Sequence, residues 1–508
     1  MLNETTLTLT ILFPAAAALV VALLPSRGRV IQWFTLIASL IFFLLTLQFP
    51  AHFTYGQQGF QFEVNRDWIA SPNIRYHIGL DGISLWLVAL TGFLAPLGVL
   101  ASWKAIDHHA KEFYFLFLLQ QTAMVGVFVA LDMFLYYAFW ELTLVPMAIL
   151  IAMFGRERGV QAALKFFVYT FLPSALLLVA ILFLYARTGT FDFVQLQAMV
   201  SHGGSLFSER ALYWAALGFL VAFAVKVPVF PLHGWLGDTF SEAPTAMAMV
   251  VAGKLGLYSI LRFNLGLFPV QARQLAPWMI ALAVIGILYG ALVALVQRDM
   301  KRLAAYATLS GLSFCVLGIF CFAVSGVDGA LYQTINEGII GGALLILLGI
   351  LYERYGTYEI AAYGGLAAHM PLFATLFVIV SLALIGLPML NGFVGEFLIL
   401  SGSFAGHTGW VAAATVGVIL SAAYMLSLVQ KVFYGGQSEM VREQPRPDLN
   451  FRENVTVWSM AVLMLVMGLA SPVWTRAIDG AVVKLVQPAS QAAIPCVLGP
   501  TPCVAVQQ

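Results

Sequence analysis

Long runs of apolar residues, separated by short polar segments, make up most of this 508-residue chain. An α-helix that crosses a membrane needs about 20 mostly apolar residues, and fourteen segments of the chain meet that condition. The apolar residues form continuous runs and do not alternate with polar ones, which excludes a transmembrane β-barrel. The pattern therefore predicts an all-α integral membrane protein. Its spans lie near residues 6–25, 30–49, 82–102, 112–131, 133–154, 163–186, 211–231, 243–264, 276–297, 303–324, 329–352, 370–402, 409–430 and 454–475.

Two stretches of five spans resemble each other when the chain is shifted by about 170 residues, which lays spans four to eight onto spans nine to thirteen. The shift places Lys226 on Glu396, and both residues lie beside an interruption rich in proline or glycine. Five is an odd number, so the two copies would insert with opposite orientations, as in many ion-handling membrane proteins. The alternative is that any two five-helix stretches align loosely.

The repeat predicts four parts and two broken helices, helix 7 and helix 12. The parts are three N-terminal helices (1–111), the first five-helix repeat (112–265), the inverted second repeat (276–435), and a cytoplasmic loop with the last helix and the tail (436–508).

Composition and charge agree with a lipid environment. Of all residues, 61% are hydrophobic and 10% are charged, whereas a soluble domain has about 25% charged residues. The net charge of +1 excludes a basic nucleic-acid binder. Fifteen Lys and Arg residues fall on one side of the alternating topology and eight on the other. The richer side is expected to be cytoplasmic, so both termini would face outward, and Cys496 and Cys503 could form a disulfide there.

Five ionisable residues lie deep inside predicted spans, where each costs ~2.5–3.5 kcal/mol on insertion scales. Such residues mark an ion or proton pathway by default. The alternative is a set of salt bridges that only hold helices together. The five residues are Glu141, Lys226, Lys254, Glu337 and Glu396.

Prolines interrupt two of these spans close to the ionisable residues. Pro228 and Pro231 follow Lys226 and cannot donate backbone hydrogen bonds, which frees carbonyl groups in the preceding turn. Pro388 precedes Glu396 in the same manner. A break of this kind survives in a membrane only where it is buried in protein or lines a wet cavity.

Other polar residues near span ends are less informative. His233 is expected either to lie at a channel mouth as a relay member or to pack in the loop. His108 and His109 lie in a charged loop without a third ligand, so no metal site is predicted. Three acidic residues are expected to be solvated, namely Asp132, Asp238 and Glu242.

Six motifs, in this order along the chain, resemble the antiporter-like membrane subunits of respiratory complex I, specifically the subunit M (chain 4) family of bacterial NADH–quinone oxidoreductase. The block around Lys226 is the most specific of them. The motifs are GLDGISLWLVALTGFL (79–94), FWELTLVPM (139–147), KFFVYT (165–170), FAVKVPVFPLHGWLGDTFSEAPT (223–245), KRLAAYATLS (301–310) and NGFVGEFLILSGSF (391–404).

The resemblance implies fourteen helices with two inverted repeats, and a proton relay built from four buried residues. A Glu on helix 5, a Lys on helix 7, a Lys on helix 8 and a Glu on helix 12 are matched by Glu141, Lys226, Lys254 and Glu396. It also implies that this subunit binds no redox cofactor. NAD, FMN, iron–sulfur clusters and quinone are then expected in partner subunits.

The same resemblance implies location and partners. We expect a multi-pass protein of the bacterial inner membrane, in contact with the lipid bilayer, with L- and N-type antiporter-like neighbours and with a peripheral NADH-oxidising arm. Two alternatives stay open within the wider family: a subunit of a multisubunit cation/proton antiporter, or of an energy-converting hydrogenase. A third is a spacer that does not pump.

The chain departs from the family pattern in two places. It reads SGLS where helix 10 usually has SHMG, so Gly311 stands at the histidine position. In helix 11, QTINEG places Glu337 where a histidine is usual, which inverts the local charge. We expect water to replace the missing titratable group at Gly311.

Overall fold

The computed structural model describes residues 5–25, 29–57, 59–202, 206–246 and 254–491. Helices dominate, and a two-stranded hairpin lies between the second and third of them. The cysteines of the tail, Cys496 and Cys503, lie outside the described residues. The elements are α1 (Thr5–Leu23), α2 (Val30–His52), β1 (Gln61–Ile69), β2 (Ile74–Leu80), α3 (Leu85–Ser102), α4 (Ala110–Val129), α5 (Met133–Leu142), α6 (Leu144–Phe154), α7 (Gly159–Thr188), α8 (Phe193–His202), α9 (Glu209–Lys226), α10 (Leu236–Glu242), α11 (Lys254–Ser259, continued by a π-helical turn Ile260–Leu265), α12 (Pro269–Leu295), α13 (Met300–Phe320), α14 (Val324–Tyr355), α15 (Pro371–Leu384), α16 (Asn391–Phe433), α17 (Glu439–Glu443), α18 (Phe451–Leu469) and α19 (Pro472–Gln491).

Ten of the described helical segments are long and apolar enough to cross a membrane, with α5 and α6 counted as one segment (Met133–Phe154). An eleventh span is added if α18 and α19, which meet at a bend of 66°, are counted together. The number is smaller than fourteen partly because predicted spans are interrupted: α9 and α10 are separate pieces, as are α15 and α16. In addition, α16 contains a kink at His407, and its 43 residues cover the last part of the predicted span 370–402 and the whole of the span 409–430.

These findings confirm a helical, multi-pass membrane protein, with breaks where helices 7 and 12 were predicted. The count of fourteen, the inverted repeats and the four domain bounds stay predictions.

The helices differ in what they face. On α7, exposed apolar side chains recur every three or four residues, so one side of this helix faces lipid. In contrast, α13 and α14 are buried along nearly their whole length and form the centre of the bundle. The stripe on α7 consists of Leu164, Val168, Leu172, Leu176 and Val179.

The β1–β2 hairpin was not predicted, because its strands carry many polar residues and lie between strong helical signals. The strands pair antiparallel, and Asn73 in their turn adopts a left-handed conformation (φ 64°), which asparagine tolerates. One isolated bridge joins Ile78 on β2 to Ala130 at the end of α4, and another joins Asp132 to Asp192 beyond the end of α7. The hairpin, the connection between α4 and α5 and the segment after α7 therefore lie side by side. We call this end of the bundle the hairpin face.

The last described helix, α19, also lies on the hairpin face. The indole of Trp86 at the start of α3 donates a hydrogen bond of 3.1 Å to the carbonyl of Trp474. At Gly82 the backbone comes so close to the Ala477 carbonyl that a Cβ would overlap it. The helix carries apolar residues on one side, and the buried ones include Ile478 and Val482. It therefore closes the hairpin face over the membrane-spanning helices.

A buried histidine ties the hairpin to the helices. Nδ1 of His77 on β2 lies 2.5 Å from Asp192, and Nε2 lies 2.8 Å from Glu63 on β1. A neutral imidazole can donate through only one nitrogen, so contacts to two carboxylates favour the imidazolium form. Burial lowers the pKa of His77, but the hydrogen bonds and charges of Asp192 and Glu63 outweigh it and raise the pKa above its usual value. Asp132 adds a further negative charge beside Asp192.

We predict that the hairpin is attached most firmly at mildly acidic pH, where His77 is protonated and the Asp192 carboxylate is still ionised. Because the pKa of His77 is higher in the folded state, its stabilising contribution is complete below the unfolded value near 6.5 and is lost as the pH rises through the folded value. Hydrogen exchange of the hairpin amides should therefore accelerate with pH beyond its intrinsic pH dependence. His77→Gln should remove that additional step.

A matched control is His52→Gln, since His52 is exposed and its Nδ1 meets only the carbonyl of Gln48. This variant should keep the pH dependence of the original chain. If the His77→Gln protein shows the same additional step, another group is responsible and the imidazolium interpretation is wrong.

Candidate functional site

The first pair of predicted site residues meets where α9 ends. Lys226 is the last residue of α9 and is buried. Its Nζ donates a hydrogen bond of 2.6 Å to Oγ1 of Thr143 and lies 4.2 Å from the centre of the Trp140 ring. Glu141, adjacent to Trp140, interacts with Lys226 electrostatically, and its Oε1 is buried without a protein hydrogen-bond partner. The pair is thus coupled without a direct salt bridge in the described residues.

The prolines leave the backbone beyond Lys226 irregular, but two carbonyls of the preceding turn find new donors. The carbonyl of Ala224 accepts a hydrogen bond of 2.8 Å from the amide of Val229. The carbonyl of Val225 accepts one of 2.9 Å from the indole of Trp235. Both bonds come from within the protein, where an interruption inside a membrane has to find its partners.

Lys254 opens the described part of the next helix and lies near the first pair through helix packing. At Gly256 a Cβ would stand 2.8 Å from the amide nitrogen of Val227, so α11 lies directly against the end of α9. The Lys254 side chain is buried and extends to Gly338 on α14. A Cβ at Gly338 would stand 2.6 Å from Cε and 3.0 Å from Nζ of Lys254. Lys254 therefore links the first half of the bundle to α14.

The two remaining predicted residues come together on α14 and α16. The carboxylates of Glu396, which is buried, and Glu337, which is partly buried, interact electrostatically. Glu396 lies beside the break that contains Pro388: at Gly386, which has a positive φ of 72°, a Cβ would stand 2.7 Å from Oε2 of Glu396. Only glycine fits comfortably at such a position. The break thus brings backbone against the carboxylate of Glu396.

The space in front of Gly311 is occupied by protein. The three atoms nearest to a Cβ placed there all belong to the carboxyl group of Glu337, one of whose oxygens would overlap it. The expectation that water takes the place of the missing titratable group is therefore wrong. Glu337 itself fills that space.

His233 belongs to an aromatic cluster in the first break. Its ring stacks on Phe230 with centroids 5.5 Å apart and lies 5.0 Å from the centroid of Tyr289. Its Nδ1 is buried without a protein hydrogen-bond partner. These contacts favour loop packing, while the unpartnered nitrogen keeps a role in the relay open as a prediction.

An ion pair that sequence reasoning missed lies farther along α11. Both terminal nitrogens of Arg262 contact the carboxylate of Asp81, at 2.7 and 2.6 Å, and its Nε lies 3.2 Å from the hydroxyl of Tyr258. Only 4% of the Arg262 side chain is exposed. The pair lines a cavity of about 540 Å³ at the hairpin face. Its signal in the sequence is the spacing of Lys254, Tyr258 and Arg262, which puts all three on one side of a helix.

Other charges also lie deeper than expected. Asp132 is fully buried, accepts hydrogen bonds from the first amides of α5 and is not solvated. Lys301 is buried, and its Nζ donates a hydrogen bond of 2.7 Å to the carbonyl of Ala243. Asp238 is partly exposed and pairs with Lys165 at 2.6 Å. These charges hold helix ends in place.

Comparison with known proteins identifies the family. Residues 130–421 match the family described as "NADH:quinone oxidoreductase/Mrp antiporter, TM", and residues 8–131 match "NADH-ubiquinone oxidoreductase chain 4, amino terminus". Subunit M of the NADH-quinone oxidoreductase of Rhodobacter capsulatus is 40% identical over 495 residues, covering 93% of this chain and 95% of that protein. The chain belongs to the subunit M (chain 4) family.

Other members and solved structures agree with the subunit M family. Chain 4 of the NADH-ubiquinone oxidoreductase of Marchantia polymorpha is 36% identical, covering 94% of this chain and 96% of its own. A chain of "Respiratory complex I from Thermus thermophilus with bound NADH" superposes with a TM-score of 0.84 at 31% identity, covering 94% of this chain and 99% of that one. A chain of the Mrp complex from Dietzia sp. DQ12-45-1b has a TM-score of 0.85 at 22% identity, covering 98% and 100%, and shows the shared fold alone.

We predict that Asp81→Ala strongly destabilises this subunit. It leaves the Arg262 guanidinium buried without its carboxylate, and breaking a buried ion pair in this manner costs about 3–5 kcal/mol. The checks are the thermal unfolding of the detergent-solubilised protein and its yield in the membrane.

The double variant Asp81→Leu with Arg262→Met is the matched control, because replacing both charges by apolar groups of similar size is often close to neutral. It should recover most of the lost stability. If the single variant unfolds at the same temperature as the original protein, the ion pair does not stabilise the helix.

Proposed function

We propose that this chain is a proton-translocating membrane-arm subunit of an NADH–quinone oxidoreductase. The observation that carries the proposal is the placement of buried ionisable residues beside two interrupted helices. Lys226 lies at one break and Glu396 at the other, and Lys254 with Glu337 lie on the helices between them. Titratable groups in such positions are typical of proton pathways.

In the first half of the relay, Lys226 alternates between holding and releasing a proton. Desolvation disfavours its charged form, and the nearby carboxylate of Glu141 favours it. Thr143 accepts a hydrogen bond from Lys226, and the Trp140 ring stabilises the ammonium group by a cation–π contact. Moving Glu141 toward or away from Lys226 then changes which of the two groups carries the proton.

In the second half, Lys254 passes the proton to the carboxylates of Glu337 and Glu396. Lys254 contacts α14 at Gly338, adjacent to Glu337. The electrostatic interaction of Glu337 with Glu396 means that a charge on one carboxylate disfavours ionisation of the other. A proton taken up by Glu337 therefore promotes release from Glu396, which completes the path beside the second break.

The energy for this movement comes from NADH oxidation and quinone reduction in other subunits of the assembly. NAD, FMN, iron–sulfur clusters and quinone belong to those partners, and this subunit contributes no redox cofactor. Its neighbours are L- and N-type antiporter-like subunits, and the assembly carries a peripheral NADH-oxidising arm. We place the chain in a bacterial inner membrane with the hairpin face and both termini outward, following the excess of Lys and Arg on the opposite face.

Two alternatives share the fold but explain the site less well. An antiporter subunit that moves Na⁺ would be expected to present clustered carboxylate and carbonyl oxygens, whereas Lys226 and Lys254 on the path favour protons. A hydrogenase subunit would differ in its soluble partners, so purification of the native assembly separates these readings. A spacer without pumping would keep its proton-to-electron ratio when a relay lysine is removed.

We predict that Glu141→Gln and Lys226→Ala abolish most proton pumping and leave assembly largely intact. Each removes a titratable group of the first pair, and Glu141→Gln keeps the shape of the side chain. The measurement is the proton-to-electron ratio of the complete oxidoreductase reconstituted in vesicles, with NADH as donor.

Lys431→Ala is the matched control, because Lys431 is exposed near the end of α16. It should leave the ratio unchanged. Normal pumping in both Glu141→Gln and Lys226→Ala would remove the relay assignment and favour the spacer.

A further inference from the structure

Helix α13 presents bare backbone to the carboxyl group of Glu337. Around the position of a Cβ at Gly311, Cδ of Glu337 would lie at 2.7 Å and Oε2 at 3.2 Å, with Oε1 closer still. Every one of the three nearest atoms belongs to that carboxyl group. Because Gly311 has no side chain, the Glu337 side chain can extend from α14 as far as the backbone of α13.

A second glycine provides room on the neighbouring side of Glu337. Gly338 follows it on α14 and accommodates the end of Lys254, whose Nζ would lie 3.0 Å from a Cβ there. Consecutive residues on a helix point about 100° apart. Glu337 therefore points toward α13, while the backbone of Gly338 on the same helix faces Lys254. One turn of α14 thus contacts two other helices that matter to the site.

The third contact is with α16. Gly395, just before Glu396, lies so close to Gln333 that a Cβ would overlap the side-chain carbonyl oxygen of Gln333. That oxygen accepts a hydrogen bond of 2.9 Å from Asn336, which leaves the amide nitrogen of Gln333 to hydrogen-bond the Glu337 carboxylate. Close helix approach at Gly395 brings Glu396 within electrostatic range of Glu337.

We propose that Gly311 is a positioning residue for proton transfer, and that it acts by reserving the space in which the Glu337 carboxylate meets α13 and α16. The Glu337 carboxylate on α14 fits against α13 because Gly311 has no side chain there. The carboxyl group of Glu337 thus enters space that a side chain at position 311 would take. This inference rests on the proposed function, since it assigns Gly311 a task within the same relay.

The chemistry requires this placement because proton transfer depends steeply on distance. A displacement of about 1 Å can reduce the rate of a reaction about 100-fold. The atoms that a methyl group at position 311 would meet are the far end of a flexible side chain, so Glu337 can move aside without disruption of the fold. A methyl group there should thus impair transfer more than stability.

The test compares Gly311→Ala with Gly341→Ala in the complete oxidoreductase. Gly341 lies one turn from Glu337 on the same buried helix, and a Cβ there would meet only Oγ1 of Thr308 at 4.0 Å, an ordinary contact. We expect Gly311→Ala to reduce the rate of NADH-driven proton uptake by about tenfold or more and to change the pH profile of turnover. Gly341→Ala should change neither, and both variants should assemble normally.

A double-variant cycle shows whether the effect passes through Glu337. In a Glu337→Asp background the carboxyl group is one methylene shorter and withdraws from position 311. Adding Gly311→Ala should then cause little or no further loss, so the two substitutions are non-additive. Additive losses would mean that Gly311 acts elsewhere, and the inference would be wrong.

Glu337→Gln distinguishes failure of this inference from failure of the proposed function. The amide fits the same space but cannot carry the proton. If Glu337→Gln pumps normally, the assignment of Glu337 to the relay fails. If Glu337→Gln is impaired while Gly311→Ala behaves like Gly341→Ala, the relay stands and the role of Gly311 is refuted.

Discussion

The cost of charge in a hydrophobic bundle governs the centre of this protein. An ionised side chain buried among apolar helices is unstable unless an opposite charge, a dipole or a hydrogen bond compensates it. Lys226 finds a hydroxyl, an aromatic face and a distant carboxylate, but no direct salt bridge in the described residues. Because these contacts compensate the charge of Lys226 only in part, its charged and neutral forms are both accessible. Arg262 and Asp81, whose contact is bidentate, represent the opposite case of a pair fixed for structure.

Glycines provide the room that these charges need. In a tightly packed bundle a long polar side chain can be accommodated only where a neighbouring helix gives up volume. Gly338 does so for Lys254, Gly386 for Glu396 and Gly311 for Glu337. Glycine also lets two helix backbones approach closely, as Gly395 does beside Gln333. The ionisable residues and the glycines are therefore parts of the same arrangement.

The sequence predicted the features whose signal is local. Helix spans follow from apolar runs, and the breaks after Lys226 and before Glu396 follow from proline and glycine nearby. Features that depend on distant parts of the chain could not be predicted. Arg262 appears in the sequence as an ordinary charge near a span end, because its partner Asp81 is 181 residues away. The hairpin was missed because two strands rich in polar residues give a weak pattern between long apolar helices.

The relation between Gly311 and Glu337 illustrates the same limit. Each departs from the family pattern on a different helix, and considered separately each suggests a loss. Only the packing of α13 against α14 shows that the Glu337 side chain occupies the space that a side chain at position 311 would fill. Helix rotation in a bundle depends on packing over the whole interface, and no single motif encodes it.

The contact of α19 with the start of α3 has a consequence for biosynthesis. The hydrogen bond between Trp86 and Trp474 joins residues that are 388 positions apart. While the ribosome is still making the middle of the chain, the surface around Gly82 has no cover. The hairpin face is thus completed only after translation has passed the last membrane-spanning helix, and a chain that terminates prematurely would leave this surface open to cellular quality control.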